Sequence, residues 1–417
     1  MLKFLTGLRV LENGLLLNGG LFGMMLADLG AEVIKIEDTG RGDYLRDILG
    51  QVRERESPAH LQVNKGKKSV ALDVRAVEGR ELFYQLLQTA DVFIDGLRPG
   101  ACDGLGIGYL AQAAAKPDIV YVQYTGFGAQ GPYANIPTHG YHMNALAGGL
   151  PARMDEAGRL DRVRGVQYLG GTEESSAGTI LGAHYATMAT LAAVYRRDRT
   201  GEGAYIDVAA SDAVIAASWM GVTYHNNYER IATFEGLDRR GQNHGTKWPT
   251  GSTRYQFYRA QDGKNLLMGC IEPKFWTKFC QAVGRDELSS TIRAEMGVDY
   301  GEDKPELRAI LQEIFGQRPL AEWMKMAADL GLPIGPAHDM DDVFDDAHVK
   351  FRGMRLDNGE PGTAGFTYSA FPALVSNAAQ VVPERAPLHG QHTEQVLQSL
   401  DVPAERIEQL RAKRVIK

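Results

Sequence analysis

Residues 7–38, GLRVLENGLLLNGGLFGMMLADLGAEVIKIED, decide the class of fold. The first segment, GLRVLEN, predicts a short buried strand, and AEVIKIED predicts a second strand. Between them, GLFGMMLADLG has apolar residues at helical spacing and reaches Gly30, a residue type that commonly ends helices. Two strands joined through a helix run parallel in one sheet, so this stretch predicts an α/β fold.

The same alternation continues through the first half of the chain. KSVALDV, DVFIDGL and DIVYVQYTGFG predict strands, and GRELFYQLLQTA predicts an amphipathic helix. After residue 178 a long helix is followed by a strand and a helix in AYIDVAASDAVIAASW. The sequence therefore predicts a parallel sheet with helices on its faces and a ligand crevice at the carboxyl ends of its strands.

A different pattern begins near residue 225. Residues 225–255 are rich in Gly, Asn and Thr and predict a linker and loop. YQFYRAQDGKNLLMGCI predicts two strands around an Asp-Gly turn, and two helical segments follow at 273–284 and 305–317. This region predicts a smaller α+β domain, after which the chain ends in an amphipathic helical tail.

Composition argues against several classes of function. The net charge of −7 disfavours nucleic acid as the main partner. The three cysteines, Cys102, Cys270 and Cys280, lack C-x-x-C spacing, and the histidines lack metal-ligand spacing, so we expect neither a disulfide framework nor a metal site. No membrane span is expected, because no stretch reaches about 18 uncharged apolar residues, and a reduced cytoplasm is the expected location.

Small and basic residues stand near predicted strand ends, where a phosphate could bind. Gly19 and Gly20 in NGGLFG could offer backbone amides to a phosphate, although plain packing of a close turn is the alternative. Lys67 in NKGKKS and Arg98 in DGLRPG could contact a phosphate, or they could be solvated surface charges.

Two motifs carry groups for nucleophilic or acid–base chemistry. His139 follows a Gly- and Pro-rich loop and can exchange protons near neutral pH, although a loop histidine is more often structural. GGTEESSAG, residues 170–178, places Glu173 and Glu174 immediately before the long helix. These glutamates either stabilise the positive end of the helix dipole or supply a nucleophile or base.

Six motifs in chain order resemble the class III coenzyme A transferase family, which also contains the α-methylacyl-CoA racemases. They are GLRVLE with MMLADLGAEVIKIED and GRGDYLRD, then NKGKKSVALDV, ADVFIDGLRPGACDGLGIGY, YTGFGAQGPY, LAAVYRRDRTGEGAYIDVAASDA and APLHGQHTEQVL. The resemblance covers nearly the whole chain. It implies a Rossmann-like coenzyme A-binding domain from residues 1–222 and 350–417, a small domain with flanking linkers from residues 223–349, and a homodimer of interlocked subunits.

The resemblance also implies a coenzyme A thioester as substrate, with no permanently bound cofactor. Arg98 resembles the family arginine that meets the coenzyme A phosphates. The family often has a basic residue after IKIE, where this chain has Asp38, so Arg41 or Arg46 is expected to replace that contact. The remaining expected contacts with coenzyme A are Lys67, Leu72, Gly19 and Gly20.

Transferases of this family use an aspartate that attacks the thioester, forms a mixed anhydride and is regenerated as coenzyme A passes to a new acid. In this sequence Glu174 is the first candidate for that position and Glu173 the second. Gly171 could also occupy the position of the family aspartate, which would leave neither glutamate catalytic.

Racemases of the same family exchange the α-proton of the acyl group with a histidine and an aspartate. His139 matches the histidine, but Gly140 follows it where the racemases have aspartate. Glu272 in GCIEPKFW resembles a supporting racemase glutamate, although some transferases share this motif. A coenzyme A transferase is therefore the preferred interpretation, with a racemase and a non-catalytic homologue as alternatives.

Overall fold

The computed structural model describes residues 1–148, 152–162, 177–227, 230, 252–292, 297–299, 304–358, 365–376 and 380–417. The chain forms two compact units, one from residues 1–223 and 354–417 and the other from residues 224–353. The first unit therefore contains both ends of the chain. The resemblance implies divisions after residues 222 and 349, and the assignment of the two parts as coenzyme A-binding and inserted domains stays a prediction.

The strands are numbered in chain order. They are β1 Arg9–Gly14, β2 Glu32–Glu37, β3 Lys68–Ala71, β4 Val92–Gly96, β5 Val120–Thr125, β6 Ala152–Met154, β7 Leu160–Arg162, β8 Ala204–Ala209, β9 Tyr255–Arg259, β10 Asn265–Gly269, β11 Ile334–Ala337, β12 Arg355–Asn358 and β13 Phe366–Ser369.

The α-helices are numbered in the same way. They are α1 Leu16–Asp28, α2 Pro58–Asn64, α3 Val77–Gln88, α4 Ala101–Gly104, α5 Tyr109–Ala115, α6 Tyr141–Leu146, α7 Ala177–Thr200, α8 Ala210–Ala217, α9 Trp219–Asn226, α10 Pro273–Ala282, α11 Pro305–Phe315, α12 Leu320–Leu330, α13 Ala347–Phe351, α14 Thr393–Gln398 and α15 Ala404–Ala412. Short 3₁₀ helices occur at Tyr44–Asp47, Asp286–Thr291 and Val343–Asp345.

Six parallel strands form the central sheet of the first unit, in the order β3-β2-β1-β4-β5-β8. Strand β1 lies next to both β2 and β4, with Val10 paired with Val33 on one side and Val92 on the other. The chain thus builds the sheet outward from β1 in one direction and from β4 in the other. The predicted α/β fold with a parallel sheet is confirmed, and the boundary between β1 and β4 is its topological switch point.

Helices cover both faces of this sheet, because its strands are apolar on both sides. On one face α1 and α7 pack against the strands, with Phe22, Leu26 and Ala183 fully buried. On the other face α3 and the C-terminal helices α14 and α15 form a second core that includes Phe83 and Leu410. Residues from both ends of the chain therefore contribute to the hydrophobic core of the first unit.

Helix α1 begins earlier than the sequence predicts. It starts at Leu16 rather than near residue 20, and no neighbouring side chain caps it. Instead, the Leu16 N–H donates to Oδ1 of Asp43 at 3.1 Å, a partner distant in sequence. Gly30 follows the end of the helix with φ of +103°, a conformation that glycine adopts readily, which agrees with its predicted role.

The C-terminal segment covers the β3 edge of the sheet. The Ala71 N–H donates to Oγ1 of Thr393 at 3.0 Å, and the His392 N–H donates to the Ser69 carbonyl at 2.9 Å. Leu72 forms an isolated antiparallel bridge with Ile416. These contacts satisfy backbone groups that an uncovered edge strand would leave exposed.

The second unit is a smaller α+β structure, as the sequence predicts. Its antiparallel sheet has the order β11-β10-β9, and β9 turns into β10 through a tight loop containing Gly263 at φ of +79°. Helices α10, α11 and α12 supply Trp276, Phe315 and Trp323 to its buried core.

Helix α7 is long and apolar enough to cross a membrane by length and composition. The helix packs against α1, α8, β5 and β8, and residues such as Gly182, Ala183 and Ala186 are buried there. A core helix of a globular unit passes the same test of length and hydropathy, and these contacts assign α7 to the core.

Candidate active site

The switch point is built from three glycines that let two strands and a helix approach closely. A Cβ on Gly96, at the end of β4, would lie 3.1 Å from the Cα atoms of both Gly14 and Gly19. A Cβ on Gly20 would lie 2.7 Å from Cγ1 of Val63. These contacts support the packing alternative for Gly19 and Gly20, whereas their contact with coenzyme A stays a prediction.

Arg98 lies at this edge of the sheet, in the turn that follows β4, and its side chain is exposed. The turn is held by buried Asp95, whose Oδ1 accepts from the Leu97 N–H at 3.0 Å and whose Oδ2 accepts from the Tyr121 hydroxyl at 2.7 Å. Burial raises the pKa of the Asp95 carboxyl. The geometry thus holds an exposed guanidinium beside the switch point, where an anionic ligand can reach it.

Arg46 does not fit the expectation of a phosphate contact. Its side chain is buried, and Nε and Nη2 donate to Glu37 at 3.1 and 2.8 Å, while Nη1 donates to the Pro387 carbonyl at 2.9 Å. The structure gives Arg46 the role of joining β2 to the C-terminal segment. Arg41 remains exposed, but it pairs with Asp47.

Lys67 is likewise buried and engaged within the chain, which contradicts its expected exposure to a phosphate. Its Nζ donates to Glu12 at 2.6 Å, to the Gly20 carbonyl at 2.8 Å and to Asn64 at 3.0 Å. Burial is the largest influence on this ammonium and lowers the pKa of Lys67 to about 8. Leu72 is 2% exposed and packs in the core behind β3, so contact between its side chain and a ligand is not supported either.

His139 lies on the surface, at the end of the Gly-rich loop after β5. The loop closes on itself. Gly126 and Thr138 lie so close together that a Cβ on Gly126 would collide with the side chain of Thr138. Asp207 of β8 holds its middle, with the Ala129 N–H directed to both carboxylate oxygens at 2.9 and 3.0 Å. The position of His139 therefore depends on strand β8 as well as on β5.

The residues that follow the two candidate motifs, those of His139 and of Glu173 and Glu174, contact each other where the structure describes them. Glu173 and Glu174 lie outside the described residues, and the helix that follows them is described from Ala177. In its first turn the Gly178 N–H donates to Oδ1 of Asn144, on α6, at 2.8 Å, and the Thr179 carbonyl accepts from the Tyr124 hydroxyl of β5 at 2.6 Å. The start of α7 thus lies beside the carboxyl end of β5 and beside the helix that follows His139.

Glu272 lies in the second unit, at the start of α10. Its carbonyl accepts from the N–H groups of Phe275 and Trp276, and its side chain does not cap the helix. The pKa of the Cys270 thiol is raised to about 12, chiefly by burial and to a smaller extent by the Cys280 thiol and the Glu272 carboxylate. This is the placement of a helix-start residue, and a catalytic role for Glu272 stays a prediction.

Sequence reasoning missed a group of buried charges beneath the switch point. Lys35 of β2 bridges Glu12 at 2.8 Å and Asp43 at 3.0 Å, and all three side chains are at most 1% exposed. A signal was available, because Glu12 and Lys35 interrupt otherwise apolar strands, and buried charges require partners. Within the described part of the chain, no three His, Cys, Asp or Glu side chains are grouped as metal ligands would be.

A six-stranded parallel sheet with an exposed arginine beside its switch point is typical of α/β proteins that bind ligands at the carboxyl ends of their strands. The chain belongs to CoA-transferase family III, whose family model matches residues 5–393.

Individual relatives agree with this assignment. The chain is 30% identical to acetyl-CoA:oxalate CoA-transferase of Acetobacter aceti, over 85% of each chain. It is 29% identical to succinyl-CoA:glutarate CoA-transferase of Mus musculus, over 96% of this chain and 87% of the relative. Its fold is similar to the crystal structure of a CaiB/BaiF family protein from Brucella suis, with a TM-score of 0.73, 27% identity and coverage of 96% and 100% of the two chains. The chain is a CoA-transferase, and the racemase alternative is not favoured.

Proposed function

We propose that the chain transfers coenzyme A from an acyl-CoA to a dicarboxylic acid, with Glu174 as the nucleophile and Glu173 as the second candidate. The observation that carries this proposal is the match to CoA-transferase family III across residues 5–393, combined with a carboxylate pair just before α7. The two named relatives act on oxalate and glutarate, which are both dicarboxylic acids.

The reaction requires a carboxylate near the carboxyl ends of the strands. Its oxygen attacks the thioester carbonyl, so that a mixed anhydride forms and the thiolate of coenzyme A leaves. The thiolate then attacks the carbonyl of the glutamyl group, which releases the donor acid and leaves a glutamyl thioester. The incoming acid repeats these two steps in reverse order, and the glutamate is regenerated.

The contacts of α7 support a position of Glu174 near the substrate. The first described turn of α7 is bonded to Tyr124 at the end of β5 and to Asn144 of α6. The described start of α7 thus lies at the carboxyl edge of the sheet, on the side where a ligand binds in this class of fold. This supports the proposed role of Glu174, which is three residues before Ala177 in the sequence.

Arg98 is proposed to bind the phosphates of coenzyme A, because it is the exposed cation of the turn after β4. Arg46 and Lys67 are not proposed for this role, since both are paired with carboxylates in the interior. A homodimer of interlocked subunits and a cytoplasmic location complete the proposal.

The proposal is tested by incubating the protein with an acyl-CoA alone and mapping its peptides by mass spectrometry after an acid quench. The peptide that contains residues 173–174 is expected to carry coenzyme A as a thioester. Glu174→Gln is expected to abolish both the adduct and turnover, whereas Glu173→Gln keeps at least a tenth of the activity. An adduct that persists in Glu174→Gln at another residue would move the nucleophile to that residue.

A further inference from the structure

The turn that joins β1 to α1 has an unusual backbone. Leu16 has φ of +58°, in the left-handed region, where a residue with a Cβ is strained. This turn, residues 14–16, lies at the switch point, and the side chain of Leu15 within it is 42% exposed. A strained conformation persists only where surrounding contacts enforce it.

One buried ion pair contacts both ends of this turn. The ammonium of Lys35 donates to the Gly14 carbonyl at 2.8 Å. The carboxylate of Asp43 accepts from the Leu16 N–H at 3.1 Å. The two charged groups are themselves 3.0 Å apart, through Nζ of Lys35 and Oδ2 of Asp43. The pair therefore fixes the direction of the peptide groups on both sides of Leu15.

A buried ion pair is by itself weak evidence of a purely stabilising role. Removing two charges from water is costly, and a buried ion pair can often be replaced by apolar residues without loss of stability. Asp43 also accepts from the Leu45 N–H at 2.9 Å, and the Glu12 carboxylate compensates the second positive charge of the group, on Lys67. Each charged group thus has a fixed set of partners, and such an arrangement can hold a backbone in one conformation.

We propose that Lys35 and Asp43 are positioning residues for CoA transfer, which hold the turn 14–16 in the conformation that contacts the acyl-CoA. This inference rests on the proposed function, in which the acyl-CoA occupies the switch-point crevice. The pair does not touch the substrate; it acts through the backbone of Leu15 and Leu16. Loss of the Asp43 carboxylate releases the Leu16 N–H and allows the turn to relax.

The test combines a loss with a conformational rescue. Asp43→Ala is expected to raise the KM for acyl-CoA and the Kd for coenzyme A by about tenfold, since a hydrogen bond to a charged group that holds the binding conformation is lost. The KM for the acid acceptor should change less than about twofold. Adding Leu16→Gly should restore most of the coenzyme A affinity, because glycine adopts a positive φ without strain.

Glu32→Ala is the matched control. Glu32 lies on the same strand as Lys35 but at its amino end, where it pairs with Arg9 and Lys68. This variant should leave both KM values unchanged. If Asp43→Ala does not fold in a thermal unfolding assay, Asp43→Asn replaces it, with an expected loss of about threefold that Leu16→Gly again restores.

Equal changes in both KM values, or no recovery with Leu16→Gly, would overturn the inference and leave the pair with a purely structural role. The inference and the proposed function fail differently. If the wild type transfers no coenzyme A but the Kd for coenzyme A rises in Asp43→Ala and recovers in the double variant, only the proposed reaction is wrong. If transfer occurs and the Kd does not respond, only the positioning role is wrong.

Discussion

Charged side chains in the interior show how a single residue can be misread from sequence. Arg46 has the residue type and the local context of a phosphate ligand, yet its guanidinium is paired with Glu37. The sequence shows an arginine close after a predicted strand, but it does not show which groups pair with that arginine. Glu37 is nine residues away on another element, and Pro387 lies near the far end of the chain.

The Arg46–Glu37 pair predicts a loss of stability in acid. Burial alone raises the pKa of Glu37, but the hydrogen bonds and charge of Arg46 outweigh it and lower that pKa to about 2, from an ordinary value of 4.5. The unfolded chain therefore binds a proton before the folded chain does, and stability falls as pH decreases. Glu37 should contribute about 2 kcal/mol of this decrease between pH 5 and pH 3, measured by urea denaturation.

The double variant Glu37→Gln/Arg46→Met removes both charges together and avoids an unpaired buried ion. Between pH 5 and pH 3, the free energy of unfolding of this variant should fall by about 2 kcal/mol less than that of the wild type. Glu78→Gln is the control, because Glu78 lies on the surface of α3, where its pair with Lys413 is exposed. A double variant with the pH dependence of the wild type would contradict the assignment.

At the scale of elements, all six strands of the central sheet could be predicted from apolar runs bounded by turn residues. Helix α1 could not be placed correctly, because the acceptor for its first N–H comes from Asp43 rather than from an adjacent capping residue. The predicted helical tail is divided into α14 and α15, and Pro403 directly precedes the second helix. Proline is tolerated at such a boundary and not inside a helix.

The close approach of β1, β4 and α1 predicts that Gly96→Ala is damaging. The added methyl group would lie 3.1 Å from two backbone Cα atoms, which cannot move independently of the sheet. We expect a loss of about 1–3 kcal/mol in the free energy of unfolding and an increased KM for acyl-CoA. Thermal unfolding and steady-state kinetics measure the two effects.

Gly104→Ala is the matched control for this substitution. A Cβ at Gly104, the last residue of α4, would meet no heavy atom of the described chain within 4 Å. Alanine also favours the helix, so stability should stay unchanged or rise slightly. Equal effects of the two substitutions would show that the glycine contact at the switch point does not limit packing.

At the scale of the whole molecule, the chain returns from the second unit to complete the first. Four apolar side chains of the last 14 residues are at most 5% exposed: Ile407, Leu410, Val415 and Ile416. A chain that ends at residue 403 should therefore lose several kcal/mol of stability and fail to accumulate as folded protein, because each buried side chain contributes about 1.5–3 kcal/mol. Circular dichroism and gel filtration measure this outcome.

Lys413→Ala is the control for the truncation. It removes an exposed ion pair with Glu78 from the same segment, and exposed pairs contribute only about 0–1 kcal/mol. Normal folding of the truncated chain would contradict the assignment of residues 404–417 to the core of the first unit.

Local patterns alone do not predict the reaction. They indicate a parallel sheet and a ligand crevice, but they do not identify a coenzyme A thioester or a carboxylic acid acceptor. Both of these substrates follow from the ordered motifs and from the match to CoA-transferase family III. The glycines, Arg98 and the start of α7 lie at the carboxyl edge of the sheet in agreement with that chemistry.

The most direct test of CoA transfer is mass spectrometry of an acyl-CoA panel incubated with the protein in D2O, with mono- and dicarboxylic acids of matched length present. We expect new acyl-CoA masses that correspond to the dicarboxylic acids, with no deuterium in the recovered donor. Unchanged acyl-CoA masses accompanied by the gain of one deuterium would contradict the account, because they would establish α-proton exchange in place of transfer.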